Sequence, residues 1–266
     1  MNYKLGFIGT GNMGGALALA ASKQTKSILL SNRTAKKADQ LAHQLGCASA
    51  GDDNYSVINN CKYIFIGVKP QYLENVLGEL SPAFKNRKER FVLVSMVAGV
   101  TIEKIRNMLG IKCPVIRIMP NTACQVSQGI TLYCTSDITS EEEAEFVEFM
   151  SSSGIFDKMH EEAIDAGSAI AGCGSAFAYM FMEALADGGV SIGLTKEQSI
   201  KYAAQMMMGA AAMALETSES PTKLKDAVCS PAGCTIAGVR ALEDGAFRAA
   251  CINAVIAAYE RTKEIG

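Results

Sequence analysis

The sequence predicts an α/β fold: a doubly wound sheet in the N-terminal half, followed by an all-α C-terminal half. Three observations carry the prediction. Short apolar runs alternate with amphipathic stretches up to about Ser151, the pattern of parallel strands joined by crossover helices. A glycine loop, GTGNMG (Gly9–Gly14), follows the first run directly and opens a helix-like stretch. Beyond about Ser151 strand-like runs stop, and from Glu161 the chain is Ala, Met and Gly at helical spacing.

In chain order, the predicted strands are Lys4–Gly9 (KLGFIG), Ser27–Asn32 (SILLSN), Lys62–Val68 (KYIFIGV), Arg90–Met96 (RFVLVSM), Pro114–Pro120 (PVIRIMP) and Gly129–Thr135 (GITLYCT). Thr34–Leu45 and Thr101–Leu109 read as helices between them. In the second half, Thr195 followed by Gln198 is a capping-box pattern that starts a helix. Asp187–Thr195 and Ser218–Thr222 read as breaks. The predicted domains are residues 1–160 for dinucleotide binding and residues 161–266 for a helical dimerisation and substrate domain.

Composition narrows the function classes. The chain has 266 residues, 49% hydrophobic and 20% charged, enough for one large or two small cores. A net charge of −2 argues against nucleic acid or an anionic membrane as partner. Nine cysteines, an odd count with no CxxC pair, read as free thiols in a reducing cytoplasm and not as a metal site. The opening MNYKLGFIG runs straight into the glycine loop, so no signal peptide is expected there. Ala166–Met182, the least charged stretch, reads as a buried helix and not a membrane span.

Two later stretches point to a partner. YAAQMMMGAAAMAL (Tyr202–Leu215) is apolar almost all round, and CINAVIAAY (Cys251–Tyr259) is nearly so. A small helical domain has too little interior to cover helices on every side. The prediction is a homodimer through the C-terminal helices, with a higher oligomer left open; the alternative is that these are central helices of a monomer.

GTGNMG fits the dinucleotide fingerprint of a Rossmann-type domain. Gly9 permits the tight turn, Gly11 lets backbone approach a pyrophosphate, and Gly14 lets helix and strand pack closely. The following helix start offers amides and a positive dipole end to the phosphates. NAD sites place an acid at the end of the second strand. Here SNRTAKK puts Asn32, Arg33 and Thr34 there, with Lys36 and Lys37 behind. A guanidinium and hydroxyls suit a 2′-phosphate, so NADP(H) is predicted over NAD(H). Three loops fall at predicted strand ends, where open sheets bind ligands: VKPQ (Val68–Gln71), MVAG (Met96–Gly99) and MPNT (Met119–Thr122). The candidate cofactor residues are Ile8, Gly9, Thr10, Gly11, Asn12, Met13, Gly14, Asn32, Arg33, Thr34, Asn54, Val68, Lys69, Pro70, Met96, Val97, Ala98 and Asn121. Taken singly, each loop also reads as a strand-end turn.

SPAGCTIAG (Ser230–Gly238) is uncharged. Pro231 is expected in a first helical turn, which puts Gly233, Cys234 and Thr235 at a helix start whose amides can hold a carboxylate without any Arg. From the residues alone, Ser230 reads equally as an N-cap and Thr235 as a packed helix residue. Ser168, in the small-residue stretch Asp165–Phe177, and Glu161 are further substrate-pocket candidates.

Together FIGTGNMG, NRT, VKPQ, AGV (Ala98–Val100), RIMPNT, IDAGSAIAGCGSAF and SPAGCTIAG run in order along essentially the whole chain. They resemble the pyrroline-5-carboxylate reductase family, the last two most specifically. The resemblance implies an N-terminal Rossmann-type domain, a C-terminal dimerisation domain and NAD(P)H-dependent reduction of 1-pyrroline-5-carboxylate to L-proline, the last step of proline biosynthesis. It also tips Thr235 toward a catalytic role, beside Ser230, Gly233 and Cys234 as the substrate-binding candidates of that helix start. The chain departs from the common pattern in three places. Ala123 follows MPNT where the family usually has Pro; AGCGSA (Ala171–Ala176) replaces SGSGPA; Ala232 and Cys234 change SPGGTT or SPGGAT. The changes are small in volume and leave the reaction class intact.

The chemistry is consistent with that resemblance. A cyclic imine can enter already protonated, whereas a hydroxy acid needs a tuned Lys, His or Tyr. His43 and His160, the two histidines, read as structural. Related β-hydroxyacid dehydrogenases carry a catalytic lysine on the first helix after the nucleotide domain, and no lysine lies between Lys158 and Lys196. Cys173 and Cys234 read as small hydrophobes without a His partner. The competing readings are a related dehydrogenase or imine reductase for a different small substrate, and a non-catalytic dinucleotide-binding regulator. Thr235 at its helix start argues against the regulator.

Overall fold

The computed structural model describes residues 2–265; residues 1 and 266, the outer ends of the two predicted domains, lie outside the described residues. Eight strands form one sheet: β1 (Tyr3–Ile8), β2 (Ile28–Ser31), β3 (Ala48–Ser49), β4 (Cys61–Ile66), β5 (Val92–Ser95), β6 (Val115–Pro120), β7 (Gly129–Ser136) and β8 (Gly154–Lys158). Their order is β3-β2-β1-β4-β5-β6-β7-β8. The connecting helices are α1 (Asn12–Ala21), α2 (Ala35–Leu45), α3 (Asn54–Asn60), α4 (Pro70–Asn86), α5 (Ile102–Leu109) and α6 (Ser140–Met150). Then follow α7 (Glu161–Ala171), α8 (Gly174–Ser191), α9 (Lys196–Thr217), α10 (Pro221–Val228), α11 (Cys234–Asp244) and α12 (Phe247–Ile265).

All six predicted strands are present, and the doubly wound order places the switch point between β1 and β4. Both faces are covered, which is why β1 and β4 read as unbroken apolar runs. Phe7 and Phe65 stack at 4.3 Å on one face. Ile8, Ile64 and Ile66 join the core on the other. Three features were not predicted. The β6–β7 pair is antiparallel, because the short connection through a 3-10 turn at Thr122–Val126 leaves no room for a crossover helix. The strand β8 pairs parallel with β7, which overturns the expectation that strands stop at Ser151. Its exposed Asp157 and Lys158 hide the signal at a sheet edge. The two-residue β3 is too short for any periodicity.

The chain divides into two compact units, residues 1–173 with 258–266, and residues 174–257. The division falls after α7 because that helix is tied to the sheet: Arg117 of β6, 1% exposed, pairs with Glu161 and Asp165 one helical turn apart. In the second unit, α8 and α9 pack closely where Gly189 leaves space; a Cβ there would stand 2.4 Å from Ser199 Oγ. The helix α8 therefore runs through Asp187–Ser191, and the predicted break contracts to the turn at residues 192–195. The capping box of Thr195 and Gln198 forms as predicted.

The expectation of a buried helix over Ala166–Met182 is not met within one chain. Only Ala186 of α8 is buried, and Tyr179 and Met180 are 62% and 71% exposed. By length and composition alone, Glu161–Ser191 is long and apolar enough to cross a membrane. It is two helices of 11 and 18 residues, the first anchored to the sheet through Arg117.

On the opposite face, Glu145 of α6 accepts hydrogen bonds from Lys62 and Tyr63 of β4 and Lys4 of β1. Burial opposes its ionisation, but those three donors outweigh it and hold its pKa at about 2, below the ordinary 4.5. A depressed carboxylate contributes stability that is present above pH 4.5 and lost as pH falls toward 2. Glu145→Gln is expected to lower the unfolding free energy at pH 7 by about 1–2 kcal/mol. Urea titrations should also show a smaller loss between pH 5 and pH 2 than in the parent.

Candidate functional site

The nucleotide site is built on the ends of β1, β2, β4 and β5. Gly9 takes φ +96, and a Cβ there would meet Gly67 O at 2.7 Å. At Gly14 a Cβ would stand 2.2 Å from Gly9 O, and at Gly67 it would stand 2.6 Å from the same oxygen. The glycine loop, the β4 end and the first turn of α1 are thus in backbone contact. Gly11, by contrast, has open space where a Cβ would point. It is the N-cap of α1, with no side-chain cap and no acid in the first turn. The amides of Asn12, Met13 and Gly14 face that space without intrahelical partners.

Side chains hold the loop from below. Asn32 Oδ1 accepts from the Thr10 N–H at 3.2 Å, and its amide donates to Thr34 O. Asn54 Oδ1 accepts from Ser31 Oγ at 2.8 Å, which ties the α3 start to the end of β2. Among the described residues, the buried Thr10 Oγ1 has no hydrogen-bond partner. An unsatisfied buried hydroxyl costs about 1–3 kcal/mol, and a phosphate oxygen beside it would remove that cost. The orphan hydroxyl, the open face of Gly11 and the uncapped amides fit a dinucleotide pyrophosphate.

Arg33 and Thr34 are exposed at the β2 end. Thr34 N-caps α2 without using its hydroxyl. Among the described residues, no carboxylate lies within ion-pair distance of Arg33, Lys36 or Lys37. Lys69 and Pro70 form the N-cap and first position of α4, beside Val68. Met96 and Ala98 are half-buried at the β5 end. Ile8 and Val97 turn their side chains into the core at 2% and 1% exposure, which leaves only backbone atoms at those positions to meet a ligand. Asn121 donates to Ala171 O at 3.0 Å and accepts from the Ile130 N–H, so its amide ties the α7 end to β7.

Glu161 and Ser168 lie on α7. Glu161 accepts from the Ile102 N–H at 2.7 Å, capping α5, and pairs with Arg117. Its carboxylate is committed to holding two helices. Ser168 is buried, and its carbonyl accepts from the Gly172 and Cys173 amides. Arg117 and Asp165 were missed from sequence; an Arg inside the apolar run VIRIMP, with acids at 161 and 165, was the available signal. His43 is exposed in the last turn of α2, and His160 precedes α7 without a side-chain cap.

Ser230, Gly233, Cys234 and Thr235 come together in the second unit. The Gly233 N–H donates to Ser230 O at 3.1 Å, closing a turn with Pro231 and Ala232 at its centre. Ala232 has φ +58, the left-handed geometry of the third position of a type II turn. Pro231 therefore sits outside the helix, not in its first turn as predicted. Gly233, not Ser230, is the N-cap of α11, and no side chain caps it. A Cβ on Gly233 would stand 2.4 Å from Ser230 Oγ. The amides of Cys234, Thr235 and Ile236 open the helix, and among the described residues Thr235 Oγ1 makes no hydrogen bond. An uncapped helix start with a hydroxyl at its second position suits an anion.

Comparisons with known proteins bear on both units. Residues 161–265 match the family described as pyrroline-5-carboxylate reductase dimerisation, and residues 4–99 match NADP oxidoreductase, coenzyme F420-dependent. The chain is 37% identical over 267 residues to pyrroline-5-carboxylate reductase 3 of Danio rerio, across 99% of this chain and 91% of that protein. It is 36% identical over 270 residues to the pyrroline-5-carboxylate reductase of Escherichia coli, across 100% and 99%. The crystal structure of Plasmodium falciparum pyrroline carboxylate reductase with NADP bound matches with a TM-score of 0.89 at 31% identity, covering 100% of this chain and 98% of that one.

Ala232 gives this region a stability test. An alanine held at φ +58 is strained by about 1 kcal/mol relative to glycine. Ala232→Gly is expected to raise the melting temperature by about 2 °C, read by differential scanning calorimetry.

Proposed function

The chain belongs to the pyrroline-5-carboxylate reductase family, and from that premise we propose that it reduces 1-pyrroline-5-carboxylate to L-proline with NAD(P)H. The observation that carries the reading beyond the family is the uncapped start of α11, with Thr235 at its second position and no charged side chain in Ser230–Gly238. Such a site suits a substrate that brings its own carboxylate and a protonated ring nitrogen.

The roles follow from the residues. The amides of Cys234 and Thr235, with Ser230, take the substrate carboxylate. Thr235 Oγ1 takes the ring nitrogen as hydrogen-bond partner, which orients the imine without an added acid. Within the first unit, the buried Ser168 is kept as a candidate substrate contact, and Glu161 supports α7 through Arg117. The reduced nicotinamide, when bound, supplies the hydride that the imine carbon accepts. The glycine loop, Thr10 and Asn32 hold the pyrophosphate side, and Arg33 with Thr34 favours the 2′-phosphate of NADP(H).

The dimerisation-family match implies an oligomer. The exposed Met206, Met208, Leu215 and Ile252 (49%, 60%, 77% and 59%) support a homodimer through the C-terminal helices. The start of that match at residue 161 supports a functional division at 160/161. Nine free cysteines support a reducing cytoplasm as the place of action.

The test is NADPH oxidation, followed by absorbance, with pyrroline-5-carboxylate and purified protein. Turnover above background is expected, and none would sink the reading. Thr235→Ala is expected to cut kcat by about tenfold or more if its hydroxyl acts in the transition state. An unchanged kcat would remove it from the mechanism.

A further inference from the structure

Arg33 has no carboxylate and no hydrogen bond to fix it among the described residues, yet its guanidinium is not loose. It lies over the ring of Tyr72, 5.6 Å from the centroid. Tyr72 is the third residue of α4, behind Pro70 at the helix start. Its backbone is fixed there, with its N–H donating to Lys69 O at 2.9 Å. Tyr72 is 44% exposed. A rigid helix turn of the β4–α4 connection therefore presents an aromatic face to the cation of the β2–α2 connection.

That arrangement solves a particular problem. An unrestrained arginine carries about 2 kcal/mol of rotamer entropy, which a bidentate phosphate contact must overcome. A carboxylate would orient the guanidinium but would also repel a phosphate dianion. An aromatic face orients it through cation–π and stacking contact and adds no negative charge.

We infer that Tyr72 is a specificity-determining positioning residue, which holds Arg33 in the orientation that takes the 2′-phosphate of NADP(H). The inference rests on the proposed preference for NADP(H) and adds to it the residue that sets its size. Tyr72 acts through Arg33 and through the ring, not the hydroxyl.

The experiment compares kcat/KM for NADPH and NADH in the full-length protein, with pyrroline-5-carboxylate as substrate. Tyr72→Ala is expected to lower the NADPH-to-NADH ratio about two- to fivefold, through the KM for NADPH and not through kcat. Tyr72→Phe should keep the parental ratio. In an Arg33→Ala background, Tyr72→Ala should change the ratio no further. A ratio unchanged in Tyr72→Ala overturns the inference. So does an equal loss with both cofactors, which would mean that the ring packs on a part of the cofactor common to both. A parent enzyme with no preference for NADPH sinks the preference and the inference together, and is seen before any variant is made.

Discussion

One carbonyl oxygen, that of Gly9, sets the geometry of the nucleotide half. Three backbone segments crowd around it: the turn after β1, the end of β4 and the first turn of α1. A Cβ at Gly14 or Gly67 would stand 2.2 or 2.6 Å from it, closer than any non-bonded contact allows. The close approach aims the α1 amides across the switch point of the sheet. It also leaves Gly11 facing open space and Thr10 Oγ1 buried without a partner. The Asn32 contact then holds the loop in that place, while Asn54 ties the α3 start to the end of β2.

Much of this was legible in the sequence because backbone demands leave a residue signature. Gly9, Gly11 and Gly14 announce a turn, an approach and a contact, and the structure gives Gly9 and Gly14 a close backbone neighbour and Gly11 an open face. The buried strands were legible as apolar runs. Gly67 was not, since a single glycine after FI has no spacing partner to give it meaning. The edge strand β8 was not, because a half-exposed strand carries polar residues that read as loop. Nor were Arg117 and Asp165: the pairing of a strand cation with a helix carboxylate is a tertiary fact, 48 residues apart in sequence.

The second unit was legible in a different sense. Its helices are apolar on faces that one chain does not cover, and that excess was visible as composition before any contact was known. What composition could not show is the local turn before α11. The SPAGCT stretch looked like the beginning of a helix, with Pro231 in its first turn. The left-handed φ of Ala232 instead ends a separate turn, and Gly233 becomes an N-cap with no side chain to satisfy the amides behind it. A helix start left open in this way suits an anionic substrate.

The central claim is that backbone crowding at Gly9 O places the α1 amides for a dinucleotide. Gly14→Ala tests it directly, because the added methyl meets that carbonyl at 2.2 Å. Titration of NADPH against the variant, followed by cofactor fluorescence, should give a Kd at least about tenfold above the parent's, with the far-UV circular dichroism spectrum unchanged. A Kd equal to the parent's in a folded Gly14→Ala protein would contradict the account.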